Sequence, residues 1–202
     1  MKIIDCVQGS DEWFAARLGK VTASKFSDVL AKGQGKTRLT YMINLATEII
    51  EGAPAESYCD KNMEAGTIKE PLARAFYELL NDCHVAEVGF VERDASVGAS
   101  PDGLVGDDGL LEIKCPLGTT HTRYIVEDKV PTAYVAQIQG QLWVTDRQWC
   151  DFLSYRPENT KHPHFIKRVD RDEKYIKNLA IEVEIFVADL KKMVDMITKS
   201  EF

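Results

Sequence analysis

Apolar positions recur at helical spacing near both ends of the chain and alternate over its middle. Trp13, Phe14 and Arg17 predict a first helix over Ser10–Leu18, capped by Ser10 or Asp11 and ended by Gly19. A short second helix is expected over Lys25–Ala31, with Thr22 or Ser24 as a cap. Amphipathic helices are predicted over Leu39–Ile50 and Met63–Leu80, with Leu72, Phe76 and Leu79 or Leu80 as the apolar stripe of the latter. Pro71 either opens the main part of that helix or kinks a longer one. Weak alternation over Cys83–Glu92 suits a strand, Arg93–Ser96 a turn, and Val97–Ala99 leads into a hairpin. A polar loop is expected after Pro116, then a helix over Pro131–Thr145. Strands follow at Trp149–Tyr155 and His164–Val169, joined by the Pro157–Pro163 loop, and a long amphipathic helix over Glu173–Lys199. This order predicts an α/β fold with a mixed sheet flanked by helices. Neither a repeat nor a linker interrupts it, so 1–202 is expected to be one domain.

The hairpin carries the chemistry. Ser100-Pro101-Asp102-Gly103 opens it, Gly106-Asp107-Asp108-Gly109 turns it, and Leu111-Glu112-Ile113-Lys114-Cys115-Pro116 closes it. A three-residue loop sets Asp102 directly opposite Glu112, whereas a two-residue loop sets them diagonally. Directly opposed side chains have Cβ atoms about 4.5–5.5 Å apart, so the two carboxylates repel unless a cation lies between them. Oxygen ligands of this kind suit Mg²⁺ or Ca²⁺. Alternation puts Lys114 on the face of Glu112, while Leu111 and Ile113 point to the other face.

A net charge of −7 argues against a general nucleic-acid coat, but a metal site adds acids of its own and a DNA path needs only local basicity. Five dispersed cysteines without a C-x-x-C pair disfavour a zinc ribbon or iron–sulfur cluster and fit a reducing cytoplasm. No apolar run approaches membrane-spanning length. His162 and His164, with no cysteine or acid pattern nearby, read as surface histidines. Thr22 and Ser24, flanked by Arg17, Lys20 and Lys25, mark a helix N-terminus that suits a phosphate, although plain capping accounts for the same residues. Lys32-Gly33-Gln34-Gly35-Lys36 is basic and glycine-rich but lacks the P-loop pattern.

Asp102 with Glu112-Ile113-Lys114 resembles the core motif of the PD-(D/E)XK nucleases, and several further segments resemble the lambda exonuclease type of phage recombination nuclease. These are Arg17–Ser24, Ser100–Gly103, Leu111–Pro116, Tyr134–Gln139 followed by Trp143–Thr145, and Arg171–Tyr175. The resemblance implies a Mg²⁺-dependent exonuclease, with Mn²⁺ as a substitute, that digests double-stranded DNA processively from 5′ to 3′. Mononucleotides and a 3′ single-stranded overhang would be its products. It further implies a ring-shaped homotrimer working beside a single-strand annealing protein, in a phage or prophage context within a bacterial cytoplasm. By the same resemblance Asp102, Glu112 and the Ile113 carbonyl would hold the metal, Glu70 would complete the site, and Lys114 would orient or activate water. Gln139, with Gln137 assisting, would hold substrate and lysine; Arg17, Thr22, Ser24 and Ser100 would cradle a 5′-phosphate; Met63 would be the wedge that separates the strands. Gln34 stands near the place of a minor-groove arginine in a relative, and Trp143 where many cousins have tyrosine. A restriction- or repair-type endonuclease on the same fold, and a catalytically silent DNA-binding assembly protein, are the alternatives.

Overall fold

The Gly106–Asp108 turn, with Gly106 in the left-handed region (φ +53), folds the acidic segment into a hairpin at the centre of a five-stranded sheet. The structure, a computed structural model, describes residues 1–31, 36–54 and 61–199, and of residues 61–67 the backbone alone. The elements are β1 (Lys2–Ile4), α1 (Asp11–Arg17), β2 (Val21–Thr22), a 3₁₀ turn (Ala23–Lys25), α2 (Phe26–Val29), α3 (Thr37–Glu51), α4 (Lys61–Asn81), β3 (Val85–Ala86), β4 (Phe90–Glu92), β5 (Val97–Ala99), β6 (Gly103–Val105), β7 (Gly109–Lys114), α5 (Gly118–Glu127), α6 (Thr132–Thr145), β8 (Trp149–Tyr155), β9 (His164–Asp170) and α7 (Glu173–Lys199). Two mixed sheets result, in the orders β3-β6-β7-β8-β9 and β1-β4-β5-β2. β7 and β8 run parallel because α5 and α6 form the crossover between them.

Helices cover both faces of the larger sheet. Leu111 and Ile113 pack with Ala73 and Tyr77 of α4. Leu110, one residue out of phase, packs with Ile138 and Leu142 of α6 and with Leu179 and Phe186 of α7. β7 is therefore buried on both faces, and Glu112 lies inside the protein with no exposed surface. Gly140 lets α6 approach the 3₁₀ turn and α2 closely, since a Cβ there would stand 2.2 Å from Cδ2 of Phe26.

The structure corrects three expectations. Cys83–Glu92, expected as one strand, is two short strands, β3 and β4, in different sheets. Between those strands Gly89 touches the Cys6 backbone, where a Cβ would stand 2.2 Å from the carbonyl oxygen. The loop expected after Pro116 is helix α5. Its inner face is polar in sequence but satisfied in place: His121, fully buried, bonds Ser154 Oγ through Nδ1 (2.7 Å) and the His162 carbonyl through Nε2 (2.9 Å). α4 continues through Pro71, but its expected apolar stripe is largely outside: Leu72, Leu79 and Leu80 are exposed, while Ala73 and Tyr77 face the sheet.

Tyr77 is on the inner face because its hydroxyl donates to buried Asp151 (2.6 Å), which also accepts two bonds from Arg168, each 2.8 Å. Tyr77→Phe should lower stability by about 1.5–3 kcal/mol, the contribution of a hydrogen bond to a charged group. Denaturant unfolding measures this, and an unchanged midpoint would show that Arg168 alone satisfies the carboxylate. Cys6, Cys83, Cys115 and Cys150 are free thiols. Cys59, Gln34 and most of the Lys32–Lys36 loop lie outside the described residues, as does the side chain of Met63. Among the described residues, no helix is long and apolar enough to cross a membrane.

Candidate active site

β6 and β7 pair Gly103 with Leu111, Leu104 with Leu110 and Val105 with Gly109, the register of the three-residue loop. Carried one residue further, it sets Asp102 opposite Glu112. Asp102 Oδ2 accepts the Ile113 N–H at 2.6 Å, so the carboxylate closes the ladder where β6 begins. Glu112 Oε1 accepts from Lys114 Nζ and from Gln137 Nε2 (2.6 Å), and its Oε2 from Gln141 Nε2 (2.7 Å). Lys114 also lies over the Tyr134 ring, its Nζ 5.4 Å from the centroid. From α4, Glu70 borders the same cluster, held by Arg74 at 3.0 Å; Arg74 also donates to the Asp102 carbonyl (3.3 Å).

The electrostatics show negative charge in excess. Burial and the neighbouring Glu112 push the Asp102 carboxyl well above the usual aspartate range. Burial likewise raises Glu70, with Arg74 and Lys114 opposing it. Burial disfavours the Lys114 ammonium, but Glu112 and Asp102 outweigh it and hold the amine above the ordinary lysine range. A hard divalent cation fits this donor set: charged oxygens, partly desolvated, with Lys114 and Arg74 against the three acids Asp102, Glu112 and Glu70. Among the described residues, no three acidic, histidine or cysteine groups form a ready-made ligand cluster. Asp102 and Glu112 are thus the side chains that would hold it, with a backbone carbonyl such as that of Ile113 in support.

A second constellation adjoins the first through Ser100-Pro101-Asp102. Ser10 caps α1 by accepting the Trp13 N–H, which fixes Trp13 and, one turn on, Arg17. The Arg17 guanidinium stacks on the Trp13 ring at 4.0 Å. Ser100 Oγ accepts from Trp13 Nε1 (2.8 Å) and Arg17 Nη1 (3.3 Å). Both lone pairs are then used, and the hydroxyl proton is left to donate outward. Arg17 Nη2 reaches Thr22 Oγ1 (3.5 Å), which in turn meets Ser24 Oγ (3.3 Å). Neither the 3₁₀ turn nor α2 has a side-chain cap, so plain capping does not occupy these hydroxyls. Lys20 and Lys25 are held by Glu92 and Asp28 instead.

The hairpin and pocket residues read from sequence therefore come together in two adjoining groups. Gln139 does not join them. It is on the opposite side of α6, where its amide donates to the Asp170 carbonyl and accepts the Asp172 N–H, both at 2.9 Å, tying α6 to the start of α7. The amides on Glu112 are Gln137 and Gln141, one helical turn apart. Gln141, Trp13, Arg74 and Tyr134 were missed as site residues; the i, i+4 spacing of Gln137 and Gln141 was the signal available for the first. Gln141 is 1% exposed and its Oε1 has no partner among the described residues, a cost of about 1–3 kcal/mol for a buried carbonyl.

Residues 12–148 match the YqaJ-like viral recombinase domain. The structure superposes on that of an alkaline exonuclease, LHK-Exo, from Laribacter hongkongensis, with TM-score 0.88 and 41% identity, covering 94% of this chain and 97% of that one. The same protein in complex with dAMP gives TM-score 0.89 at the same identity and coverage. A phage related exonuclease from Haemophilus somnus 129PT shares the fold, with TM-score 0.68, 16% identity, and 89% and 95% of the two chains covered. Uncharacterized protein R354 of Acanthamoeba polyphaga mimivirus is 28% identical over 167 residues, 75% of this chain; the chain spans 30% of that protein's length. With the hairpin acids, the lysine two places on and these likenesses together, the chain belongs to the YqaJ-like viral recombinase domain family, on the PD-(D/E)XK fold of the lambda-exonuclease-like nucleases.

Proposed function

We propose that this protein is a Mg²⁺-dependent exonuclease that degrades linear double-stranded DNA processively from 5′ to 3′. It releases mononucleotides and leaves a 3′ single-stranded overhang for recombination by annealing. One observation carries the reading: Ser100 of the basic pocket and Asp102 of the acidic centre are two residues apart on one extended segment, a reach of at most about 7 Å. That is the scale of one nucleotide step. A terminal 5′-phosphate held by Arg17, Thr22, Ser24 and Ser100 places the next phosphodiester at Asp102 and Glu112. The dAMP complex of LHK-Exo supports a mononucleotide product.

In this reading Asp102, Glu112 and the Ile113 carbonyl hold the cation, with Glu70 closing the site from α4. When bound, Mg²⁺ would neutralise phosphate charge and make its bound water a stronger acid than bulk water. Lys114, held as an ammonium, orients the attacking water and donates to the oxygen on which charge develops. Gln137 and Gln141 keep Glu112 in place. Met63, at the N-terminal end of α4, serves as the strand-separating wedge. The 202 residues act as one nuclease domain in a homotrimeric ring, beside a single-strand annealing protein, in the cytoplasm of a phage-infected or lysogenic bacterium.

Digestion of linear and covalently closed duplex DNA in Mg²⁺ and in EDTA tests the activity. Linear DNA should be consumed only in Mg²⁺, yielding mononucleotides, while closed circles survive. Cleavage of closed circles would make the protein an endonuclease on the same fold.

A further inference from the structure

We infer that Gln141 is a positioning residue that aims the cation-facing oxygen of Glu112, an inference that rests on the proposed metal-dependent nuclease reading. Glu112 is fully buried, so water does not set its orientation. Its Oε1 already accepts two donors, Lys114 and Gln137, which fill that oxygen's two lone pairs. Oε2 accepts one, Gln141 Nε2 at 2.7 Å, and keeps one lone pair to offer. Oε2 is therefore the oxygen that meets a cation, and Gln141 fixes where its remaining lone pair points.

The side chain itself is costly to keep. Gln141 is buried and spends its amide on Glu112 while its Oε1 meets no partner among the described residues. A leucine or methionine in that place would fill the space without an unsatisfied carbonyl. An amide retained where an apolar group would pack better marks a residue held for the site. Gln139, two places earlier and on the other side of α6, shows the contrast: both ends of its amide are bonded to backbone, which is a scaffold role. Groups that orient a metal ligand commonly change metal affinity about tenfold to a hundredfold when removed.

The test is calorimetric titration of Mn²⁺ into the DNA-free protein, for wild type, Gln141→Met, Gln141→Leu and Gln139→Met, with thermal melting alongside. Gln141→Met and Gln141→Leu should melt close to wild type and bind Mn²⁺ about tenfold to a hundredfold more weakly. Hydrolysis by both should recover at high Mn²⁺. Gln139→Met should melt lower and bind Mn²⁺ as wild type does. Equal affinity in wild type and Gln141→Met overturns the inference while leaving the nuclease reading in place. An equal loss in Gln139→Met overturns it too, because the effect is then general to α6. Failure of both Gln141 variants to fold would make that residue part of the core and not a positioning group. A wild type that neither binds Mn²⁺ nor digests linear duplex in Mg²⁺ removes the nuclease reading itself, and the inference with it.

Discussion

Replacing Asp102 with asparagine should abolish hydrolysis and yet raise the melting temperature measured in EDTA. The two effects share one cause. Asparagine keeps an acceptor for the Ile113 N–H, so the start of β6 remains tied to β7. It removes a desolvated negative charge that burial and Glu112 already push towards protonation. The cation-free protein is thereby relieved of a repulsion that the native sequence tolerates for the sake of the site. Activity falls because an anionic ligand is lost where charge neutralisation is the main catalytic demand. Removing a single electrostatic contact at a reacting centre often costs about 10²–10³-fold, and loss of a charged ligand should reach at least the upper end. Adding Mg²⁺ should raise the wild-type melting temperature more than that of the variant, since only a ligand bound in the folded state stabilises it. Single-turnover digestion and paired melts with and without Mg²⁺ read both effects. An Asp102→Asn enzyme that still digests linear duplex at a wild-type rate would remove Asp102 from the centre.

How much of this site the sequence carried differs from residue to residue. The hairpin was legible because turn composition and alternating apolar positions limit the register to two choices, and one of them opposes the acids. Which glycine took the left-handed conformation was not legible, since Gly106 and Gly109 both border the aspartates; Gly106 does. The three glutamines of α6 show information present but overridden. Helical spacing alone sets Gln137 and Gln141 on one face and Gln139 on the other, whereas motif resemblance singled out Gln139. α5 was hidden for another reason: its buried face is His121 and Tyr124, and the partners of His121, Ser154 and His162, lie more than thirty residues away and cannot be read locally. α4 failed on the choice between two helical faces. Periodicity finds a stripe, but Tyr77 turns inward to reach Asp151, and that carboxylate comes from a strand formed much later in the chain. The proposed phosphate pocket was legible in its motif residues and illegible in Trp13, whose indole takes its place only once Ser100 is brought beside it.

Removing the guanidinium of Arg17 should separate end recognition from chemistry. In Arg17→Ala the acidic centre is untouched, since among the described residues none of its hydrogen bonds or ion pairs involves Arg17, which contacts Trp13, Phe90, Ser100 and Thr22. The pocket loses its fixed cation and its fork of donors, and Ser100 recovers a free lone pair. A hydrogen bond to a charged group contributes about 1.5–3 kcal/mol, so preference for 5′-phosphoryl over 5′-hydroxyl ends should fall by about 10–100-fold. Arg17→Lys should fall between the two, because lysine keeps the charge but cannot fork between Ser100 and Thr22 or stack flat on the indole. Lys20→Ala and Lys25→Ala should leave the preference near wild type, because Glu92 and Asp28 hold those ammonium groups outside the pocket. Processivity is the more telling measurement. If a newly exposed 5′-phosphate draws the strand forward after each cut, Arg17→Ala releases its DNA after far fewer nucleotides, even when the first cut is forced with excess enzyme. The readout is product length under a heparin trap with end-labelled duplexes of both kinds. Unchanged run length together with unchanged end preference would place the phosphate elsewhere and leave Arg17, Thr22, Ser24 and Ser100 as a structural clasp between α1 and the hairpin.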